Sequence, residues 1–289
     1  MDKLILPAIV SALLFACASA PAPSTPEAAE KPTSGAAALK ASSVKIVRIP
    51  VEKKAYFRFA DGSLDEYTQS EYDPSLTFIQ TQTRFSASGA QLEKIEFSYR
   101  DGLLVTKTVK DSQGLVSSRR LYSYGSGGRL VSETLEDRAG KIISSFEYDY
   151  DAAGHKTKWI VKDSGGTTIA ETTYSYTGGK VLSAELRDGI GKKSGSSSYE
   201  YDAEGRIVAQ RFKDALGSLL RVETSVWKDG RLMKEERASA GGVVQQRSSY
   251  EYGADGEILR KTMEDNVGKS KQIVEFEYAI REDRKTVEE

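Results

Sequence analysis

The sequence predicts an all-β fold: an antiparallel meander of two-stranded repeats, each of 25–26 residues, that forms a long curled or spiral sheet. Three observations predict it. Aromatic-x-aromatic triplets recur at a fixed spacing, turn signals come twice per period, and no proline follows Pro74. The 289 residues include 25 glycines and 15 tyrosines but only seven prolines. Scarce proline suits a sheet, because proline removes a donor from the hydrogen-bond ladder.

The N-terminal element is a secretory signal peptide over residues 1–16. Its apolar run, residues 4–16, is too short to cross a bilayer as a permanent helix. The run leads through Leu-Phe-Ala into Cys17, which resembles the lipobox of bacterial lipoproteins in its looser, spirochaete form. The resemblance implies that Cys17 is lipidated, with palmitate among its acyl chains. The mature chain is then anchored in a bacterial cell envelope, on the periplasmic or surface face of the outer membrane. An ordinary signal peptide with an incidental cysteine is the alternative.

A tether follows, so that residues 17–44 hold both the anchor cysteine and a Pro/Ala-rich linker. Four of the seven prolines lie in it, at Pro21, Pro23, Pro26 and Pro32. Such a segment buries no core and behaves as an extended chain. We expect it to hold a folded domain away from a membrane.

Residues 45–289 form one β-repeat array. Successive copies open with the aromatic triplet, 25 or 26 residues apart, and 12 of the 15 tyrosines lie in these triplets. The copies open at Phe97, Tyr122, Tyr148, Tyr174, Tyr199, Ser225, Tyr250 and Phe276. Copies that match the pattern less well extend upstream to Phe57.

Each copy carries two turn signals. One follows the triplet, as in Asp202-Ala-Glu-Gly205, and the second is an Asp-x-x-Gly string such as Asp137-Arg-Ala-Gly140. Aspartate bonds to its own backbone at the start of a turn, and glycine takes the positive φ that closes it. About eight or nine residues remain between turns, which is the length of a strand. A symmetric four-residue first turn predicts that Tyr122 lies opposite Val131.

The number of strands favours a curled sheet. About 16 to 20 antiparallel strands cannot stay flat, because strand twist accumulates. A propeller with two repeats per blade is the main alternative. A transmembrane barrel is a third arrangement, which the scattered charge argues against.

Two strings in the array carry a family resemblance. Tyr199-Glu-Tyr-Asp-Ala-Glu-Gly-Arg-Ile207 and Tyr148-Asp-Tyr-Asp-Ala-Ala-Gly154 resemble the YD repeats of bacterial RHS proteins, over about residues 97–278. In that family the repeats build antiparallel strands in long curling sheets, sometimes as a shell around cargo. The period here is longer and the chain is too short for such a shell. The resemblance therefore implies the shape of the sheet and not toxin delivery.

Composition excludes several kinds of chemistry. The 41 basic and 42 acidic residues leave a net charge of −1, which gives no electrostatic footprint for nucleic acid. One cysteine and one histidine exclude a disulfide framework, a Cys–His dyad and a His/Cys metal site within one chain. We therefore expect no nucleic-acid partner, no cofactor, no metal and no catalytic residue.

Few residues stand out as sites. Cys17 is the predicted lipidation site. Trp159 and Trp227 interrupt the repeat pattern and are candidate binding-surface aromatics, with simple packing as the alternative. His155 is expected to be an exposed turn residue. The Asp-rich turns supply one or two carboxylates each, whereas calcium needs about six to eight oxygens.

The leading hypothesis is a lipid-anchored, non-enzymatic envelope protein. Its repeat sheet would be a binding or scaffold surface for an unknown protein or polysaccharide partner. One alternative is a carbohydrate-active hydrolase, which requires a cleft with two carboxyl groups about 5–10 Å apart. Another is a periplasmic assembly factor that captures chains at a sheet edge, which requires an unpaired terminal strand.

Overall fold

The computed structural model describes residues 42–288, and these contain 18 β-strands. Residues Val44–Lys285 form one compact unit. Cys17, the signal peptide and nearly all of the tether lie outside the described residues. The strands are β1 (Ser42–Phe59), β2 (Leu64–Tyr72), β3 (Ile79–Ser86), β4 (Gln91–Arg100), β5 (Leu103–Asp111), β6 (Val116–Tyr124), β7 (Leu130–Asp137), β8 (Ile142–Tyr150), β9 (Lys156–Lys162), β10 (Thr168–Thr177), β11 (Lys180–Asp188), β12 (Lys193–Tyr201), β13 (Ile207–Asp214), β14 (Leu219–Lys228), β15 (Arg231–Ser239), β16 (Val244–Tyr252), β17 (Ile258–Asp265) and β18 (Ser270–Glu288). One turn of 3-10 helix, Ser126–Gly128, joins β6 to β7.

The strands form one closed antiparallel sheet. Each strand pairs with the next along the chain, and β1 also pairs with β18. Across this seam Arg58 Nε donates to Glu275 Oε2 at 2.8 Å, and Tyr56 Oη donates to Glu277 Oε1 at 3.0 Å. The architecture is a β-barrel. The all-β, antiparallel meander is confirmed, whereas the open curled or spiral sheet and the propeller are wrong.

Closure follows from the strand count and from the two terminal strands. Twist curls a sheet of this size until its edges can meet, and their pairing removes the two edge strands. Strands β1 and β18 have 18 and 19 residues, against seven to ten for the others. Since β1 and β18 are bonded to each other, neither terminal strand of the described sheet is unpaired. The assembly-factor alternative predicts an unpaired terminal strand, which this pairing does not provide.

The Asp-x-x-Gly turns close as the sequence predicts. In the turn between β7 and β8, Asp137 Oδ1 accepts from the backbone N–H of Ala139 at 2.8 Å and of Lys141 at 2.9 Å. Gly140 takes φ +80° and donates to the Asp137 carbonyl at 3.1 Å. Equivalent aspartate bonds close the turns that begin at Asp111, Asp163, Asp188, Asp214 and Asp265. These turns all lie at the same end of the barrel.

The register at the other end differs from the prediction by two residues. Tyr122 lies opposite Glu133, not Val131. The turn closes with Gly125 N–H on the Arg129 carbonyl, which moves the register by one residue. A β-bulge at Val131 then moves it by one more, because Ser123 pairs with Ser132 while Tyr124 pairs with Leu130. The same shift puts Tyr199 opposite Gln210 and Tyr250 opposite Lys261.

Candidate functional site

Both aromatic residues of each triplet lie on one face of the sheet, which we call the aromatic face. Cross-strand pairing carries this face around the barrel; for example, Tyr148 lies opposite Trp159 and Trp159 opposite Thr172. Apart from Ala209, every buried residue in the described part belongs to it. Side chains that point into a closed sheet converge and crowd one another. The aromatic face is therefore the inward one.

From Tyr124 onward, the second aromatic of each triplet links its hairpin to the preceding one. Tyr124 Oη donates to the Leu104 carbonyl at 2.8 Å, and Leu104 directly precedes the bulge residue Val105. Further bonds over the same sequence separation of 20 residues join Tyr150 to Leu130, Tyr176 to Lys156, Tyr201 to Val181, Trp227 to Ile207, Tyr252 to Leu232 and Tyr278 to Ile258. Each acceptor is the carbonyl immediately before a bulge. Every bulge of this series is thus tied to the neighbouring hairpin.

The first aromatic of two triplets donates to a half-buried carboxylate. Glu133 accepts from Arg120 Nη1 at 2.7 Å and from Tyr148 Oη at 2.6 Å. Tyr250 Oη donates to Glu235 in the same way. Glu133 thus accepts from two donors, and each carboxylate fixes the ring that donates to it.

The phenols on this face stay protonated. Burial, with the nearby charge of Glu133, raises the pKa of Tyr122 to about 12. Burial and then the hydrogen bond to Glu133 raise the pKa of Tyr148 above its ordinary value. Burial and the bond to Glu235 do the same for the pKa of Tyr250. At physiological pH these hydroxyls therefore act as hydrogen-bond donors.

Two carboxylates come together on neighbouring strands. Glu223 and Glu235 sit diagonally on β14 and β15 of the aromatic face, since Ser225 lies opposite Glu235. Glu223, with 9% of its side chain exposed, accepts from Arg221 Nε at 3.1 Å and from Arg237 Nε at 3.0 Å. The guanidinium groups and the Tyr250 hydroxyl thus occupy both carboxylates, which favours a structural role for them.

The opposite side of the sheet, the charged face, is covered by ion pairs. Lys110 Nζ lies 2.7 Å from Glu96, and Arg247 Nε lies 2.8 Å from Glu236. Glu275 holds two guanidinium groups, those of Arg58 and Arg260. Because Glu96, Glu236 and Arg247 stand well inside their strands, the outward surface of the barrel is polar away from its ends as well.

The two tryptophans have different surroundings. Trp227 occupies the second aromatic position of its triplet, and its Nε1 donates to the Ile207 carbonyl at 3.0 Å. This bond replaces the tyrosine bond of the other hairpins. Trp159 stacks with Phe146 at 6.3 Å between ring centroids, and its buried Nε1 has no hydrogen-bond partner in the described part.

Trp159 lies in a cluster of rings and one cation, which we call the Trp159 cluster: Trp159, Tyr148, Lys156 and Tyr174. Lys156 Nζ lies 5.5 Å from the centre of the Tyr148 ring and 5.2 Å from that of Tyr174. Aromatic rings combined with a few fixed polar groups are typical of ligand sites. The unusual residue at 159 was the sequence signal for this cluster, whereas Lys156 gave none.

The other predicted features lie in turns. His155 is half-buried in the turn between β8 and β9, where its ring stacks on Tyr176 at 4.8 Å and its Nδ1 lies 3.0 Å from Asp151 Oδ2. That hydrogen bond holds the pKa of Asp151 below its ordinary value. Within the described residues, no three acidic, histidine or cysteine side chains group as metal ligands do. The same part of the chain contains no helix suited to crossing a membrane.

Comparisons with known proteins give only distant likenesses. No family model matches the chain, and neither does any curated protein. A porin-like protein from Bacteroides uniformis is 11% identical and superposes with a TM-score of 0.41, over 79% of this chain and 98% of its own. A porin-like protein from Bacteroides vulgatus is 12% identical, with a TM-score of 0.34 over the same shares. The Tc holotoxin pore of Photorhabdus luminescens is 12% identical, with a TM-score of 0.23 over 76% of this chain and 15% of that one.

Proposed function

We propose that the chain is a lipid-anchored protein of a bacterial cell envelope, whose closed sheet is a non-enzymatic binding surface for a polysaccharide. The observation that carries the binding role is the Trp159 cluster on the aromatic face. It places the Trp159 indole opposite Tyr148, with the Lys156 ammonium 5.5 and 5.2 Å from the centres of the Tyr148 and Tyr174 rings. Rings can stack on the apolar faces of sugars, and the cation suits an acidic polymer.

The charged face supports attachment by a lipid rather than insertion of the barrel into a bilayer. Lysine or arginine at the lipid-facing midplane of a membrane barrel costs about 2–4 kcal/mol each. Arg211, Lys234 and Arg247 all stand on the outward side of their strands, near the middle. Acyl chains on Cys17 would supply membrane affinity without burying these charges.

The anchor is tested by labelling cells that express the chain with radioactive palmitate. We expect label in the wild-type protein and its loss in Cys17→Ser. Label that persists in Cys17→Ser would remove the lipid anchor from the proposal.

The binding role is tested by tryptophan fluorescence, because the chain has only two tryptophans. Trp227→Tyr leaves Trp159 as the sole reporter and keeps a hydroxyl donor for the Ile207 carbonyl. We expect soluble peptidoglycan fragments to change the emission of this variant in a saturable way. The matched variant Trp159→Phe, which reports from Trp227, should give no change. An unchanged emission from Trp159 over the whole titration would overturn the polysaccharide site and leave a protein partner as the hypothesis.

A further inference from the structure

One turn at the Asp-x-x-Gly end of the barrel begins with an aromatic residue, Phe59. Its carbonyl accepts from the N–H of Gly62 at 3.0 Å, as the Asp137 carbonyl accepts from Gly140 at 3.1 Å in an ordinary turn of this end. The other turns there begin with a side chain that bonds to the turn backbone: Ser86, Asp111, Asp137, Asp163, Asp188, Asp214, Ser239 and Asp265. A phenyl ring cannot make this bond.

The Phe59 ring is therefore not needed for its own turn. Asp61 closes the turn instead, since its Oδ1 accepts from the N–H of Ser63 at 2.9 Å and from the Ser63 hydroxyl at 2.6 Å. The exposed fraction of Phe59 is 50%. Neither turn chemistry nor burial accounts for an aromatic residue at this place, which leaves the surroundings of the ring as its explanation.

Phe59 borders a cavity of about 420 Å³ on the aromatic face. It shares this face with the buried Ala55, because residues four apart in a strand point to the same side. Three side chains on neighbouring strands form a row in the lining, where Ser248 lies opposite Met263 and Met263 opposite Gln272. The volume is within the range of small-ligand pockets, about 300–1,000 Å³.

The polar groups of this cavity are amides and a hydroxyl. Gln246 and Gln272 each carry two N–H donors and a carbonyl acceptor, and the Ser248 hydroxyl can donate and accept. The neighbouring Asp265 is engaged in its turn, where Oδ1 accepts from two backbone N–H groups at 2.9 Å. The cavity thus combines one ring and one thioether with groups that both donate and accept hydrogen bonds.

The cations that border the cavity are directed away from it. The side chains of Arg247 and Lys271 are on the charged face, where they lie 3.8 and 3.5 Å from Glu264. Among the described residues of the lining, none therefore directs a cation into the cavity, so an acidic ligand would meet no counter-ion. The Trp159 cluster differs, because it contains Lys156.

We propose that this cavity is a second binding site, which takes an uncharged saccharide. The Phe59 ring stacks on the C–H face of a sugar, and the two glutamine amides bond to its hydroxyls. A lipid needs more apolar lining than Phe59 and Met263 supply, and a phosphate or carboxylate needs a cation. The site is separate from the Trp159 cluster: in the closed ring of 18 strands, β17 stands eight strands from β9, on the nearly opposite wall.

The site is tested by moving the tryptophan reporter into it. The chain from residue 17 carries Cys17→Ser, Trp159→Phe, Trp227→Tyr and Phe59→Trp, so that its one tryptophan lines the cavity. Three neutral trisaccharides serve as probes: maltotriose, cellotriose and the trimer of N-acetylglucosamine. We expect at least one of them to change the emission in a saturable way. The acidic trimer of galacturonic acid should bind at least about tenfold more weakly.

Two substitutions in the Cys17→Ser chain test the assigned groups by calorimetric titration with the same trisaccharide. Phe59→Asp gives the turn the residue that most turns of this end have, so the fold should be at least as stable while the affinity falls by about tenfold or more. Gln272→Leu keeps the volume and should weaken binding by about tenfold. The matched control, Leu216→Ala, removes an exposed apolar side chain from another turn of the same end and should bind like the parent.

The proposal is overturned if the parent chain binds none of the three trisaccharides, if the galacturonic acid trimer binds as tightly as they do, or if Phe59→Asp binds as well as the control. A less stable Phe59→Asp would make the ring structural, and Gln272→Leu then decides alone. Binding of trialanine in place of any sugar would replace the saccharide with a peptide. Because the reporter chain lacks Trp159, this result is independent of the peptidoglycan titration, and either site can fail without the other.

Discussion

The bonds between tyrosine hydroxyls and bulge carbonyls make a direct prediction about stability. Tyr252→Phe removes one hydroxyl and nothing else from a half-buried site, where Oη donates to the Leu232 carbonyl at 2.7 Å. A hydrogen bond of this kind contributes about 0.5–1.5 kcal/mol net, and an acceptor left without its donor costs about 1–3 kcal/mol. The short distance and the partial burial point to the overlap of these ranges. We expect the free energy of unfolding to fall by about 1–1.5 kcal/mol.

Trp227 offers the matched pair of variants. Trp227→Phe deletes the N–H that serves the Ile207 carbonyl, whereas Trp227→Tyr restores a hydroxyl at the position where other hairpins have one. Both replace the indole by a smaller ring, so the difference between them isolates the hydrogen bond. Equilibrium unfolding in guanidinium chloride measures all three variants, with the slope against denaturant unchanged if only native contacts are lost. The account is refuted if Tyr252→Phe equals wild type, or if Trp227→Tyr is as unstable as Trp227→Phe.

Three further predictions concern the aromatic face and the turns. The raised pKa of Tyr122 favours the protonated phenol in the folded state. Its contribution to stability is therefore complete below pH 10 and is lost as the pH rises through about 12. Unfolding curves measured across this window should show a fall in the free energy of unfolding, and the fall should be smaller in Tyr122→Phe. Glu133→Gln should cost about 1–3 kcal/mol, because the amide keeps one acceptor oxygen and turns its NH2 group toward either the Arg120 guanidinium or the Tyr148 phenol, which then lacks an acceptor. Glu96→Gln, which breaks an ion pair on the charged face, should cost less than about 1 kcal/mol in the same denaturation assay. Gly217 has φ +90°, and a new Cβ there would meet no atom within 4 Å. Gly217→Ala should therefore cost about 1–2 kcal/mol from backbone strain alone. Equal thermal midpoints for Gly217→Ala and wild type would contradict this.

The local structure of the hairpins could be predicted from sequence because it depends on nearby residues. In the turn between β7 and β8, the Asp137 carboxylate bonds to the backbone and Gly140, three residues later, takes a positive φ. These two residues specify the turn. The alternation of apolar residues then fixes which side chains share a face. These are short-range effects, and the strands and turns follow from them.

The bulges and the closure could not be predicted in the same way. Val131 is an ordinary apolar residue in a strand pattern, and only the pairing of both strands shows that it is unpaired. A tyrosine and its acceptor are always 20 residues apart. The acceptor is a backbone carbonyl, which every residue has, so no residue type in the sequence identifies it. Closure depends on twist summed over 18 strands and on residues at the two ends of the chain, so no local pattern records it.

For the candidate site, sequence alone identified Trp159 and Trp227 as unusual but could not separate them. Trp227 lies in a triplet and makes the hydrogen bond that a tyrosine makes in other hairpins. Trp159 lies on β9, the second strand of its hairpin, where other hairpins have a smaller residue. Lys156 joins Trp159 only because β9 lies between Tyr148 on β8 and Tyr174 on β10. The position of Lys156 between these rings depends on how β8, β9 and β10 pair.

Pairing of the first strand with the last has a consequence for how the circumference of the barrel can change. The terminal strands run antiparallel only when the number of strands between them is even. Insertions or deletions therefore have to come as whole hairpins, each of which alters the girth by about 10 Å. Loss of a single strand would leave two parallel ends facing each other at the seam, where Arg58 and Glu275 now meet. During evolution such a ring can gain or lose width only in these fixed steps.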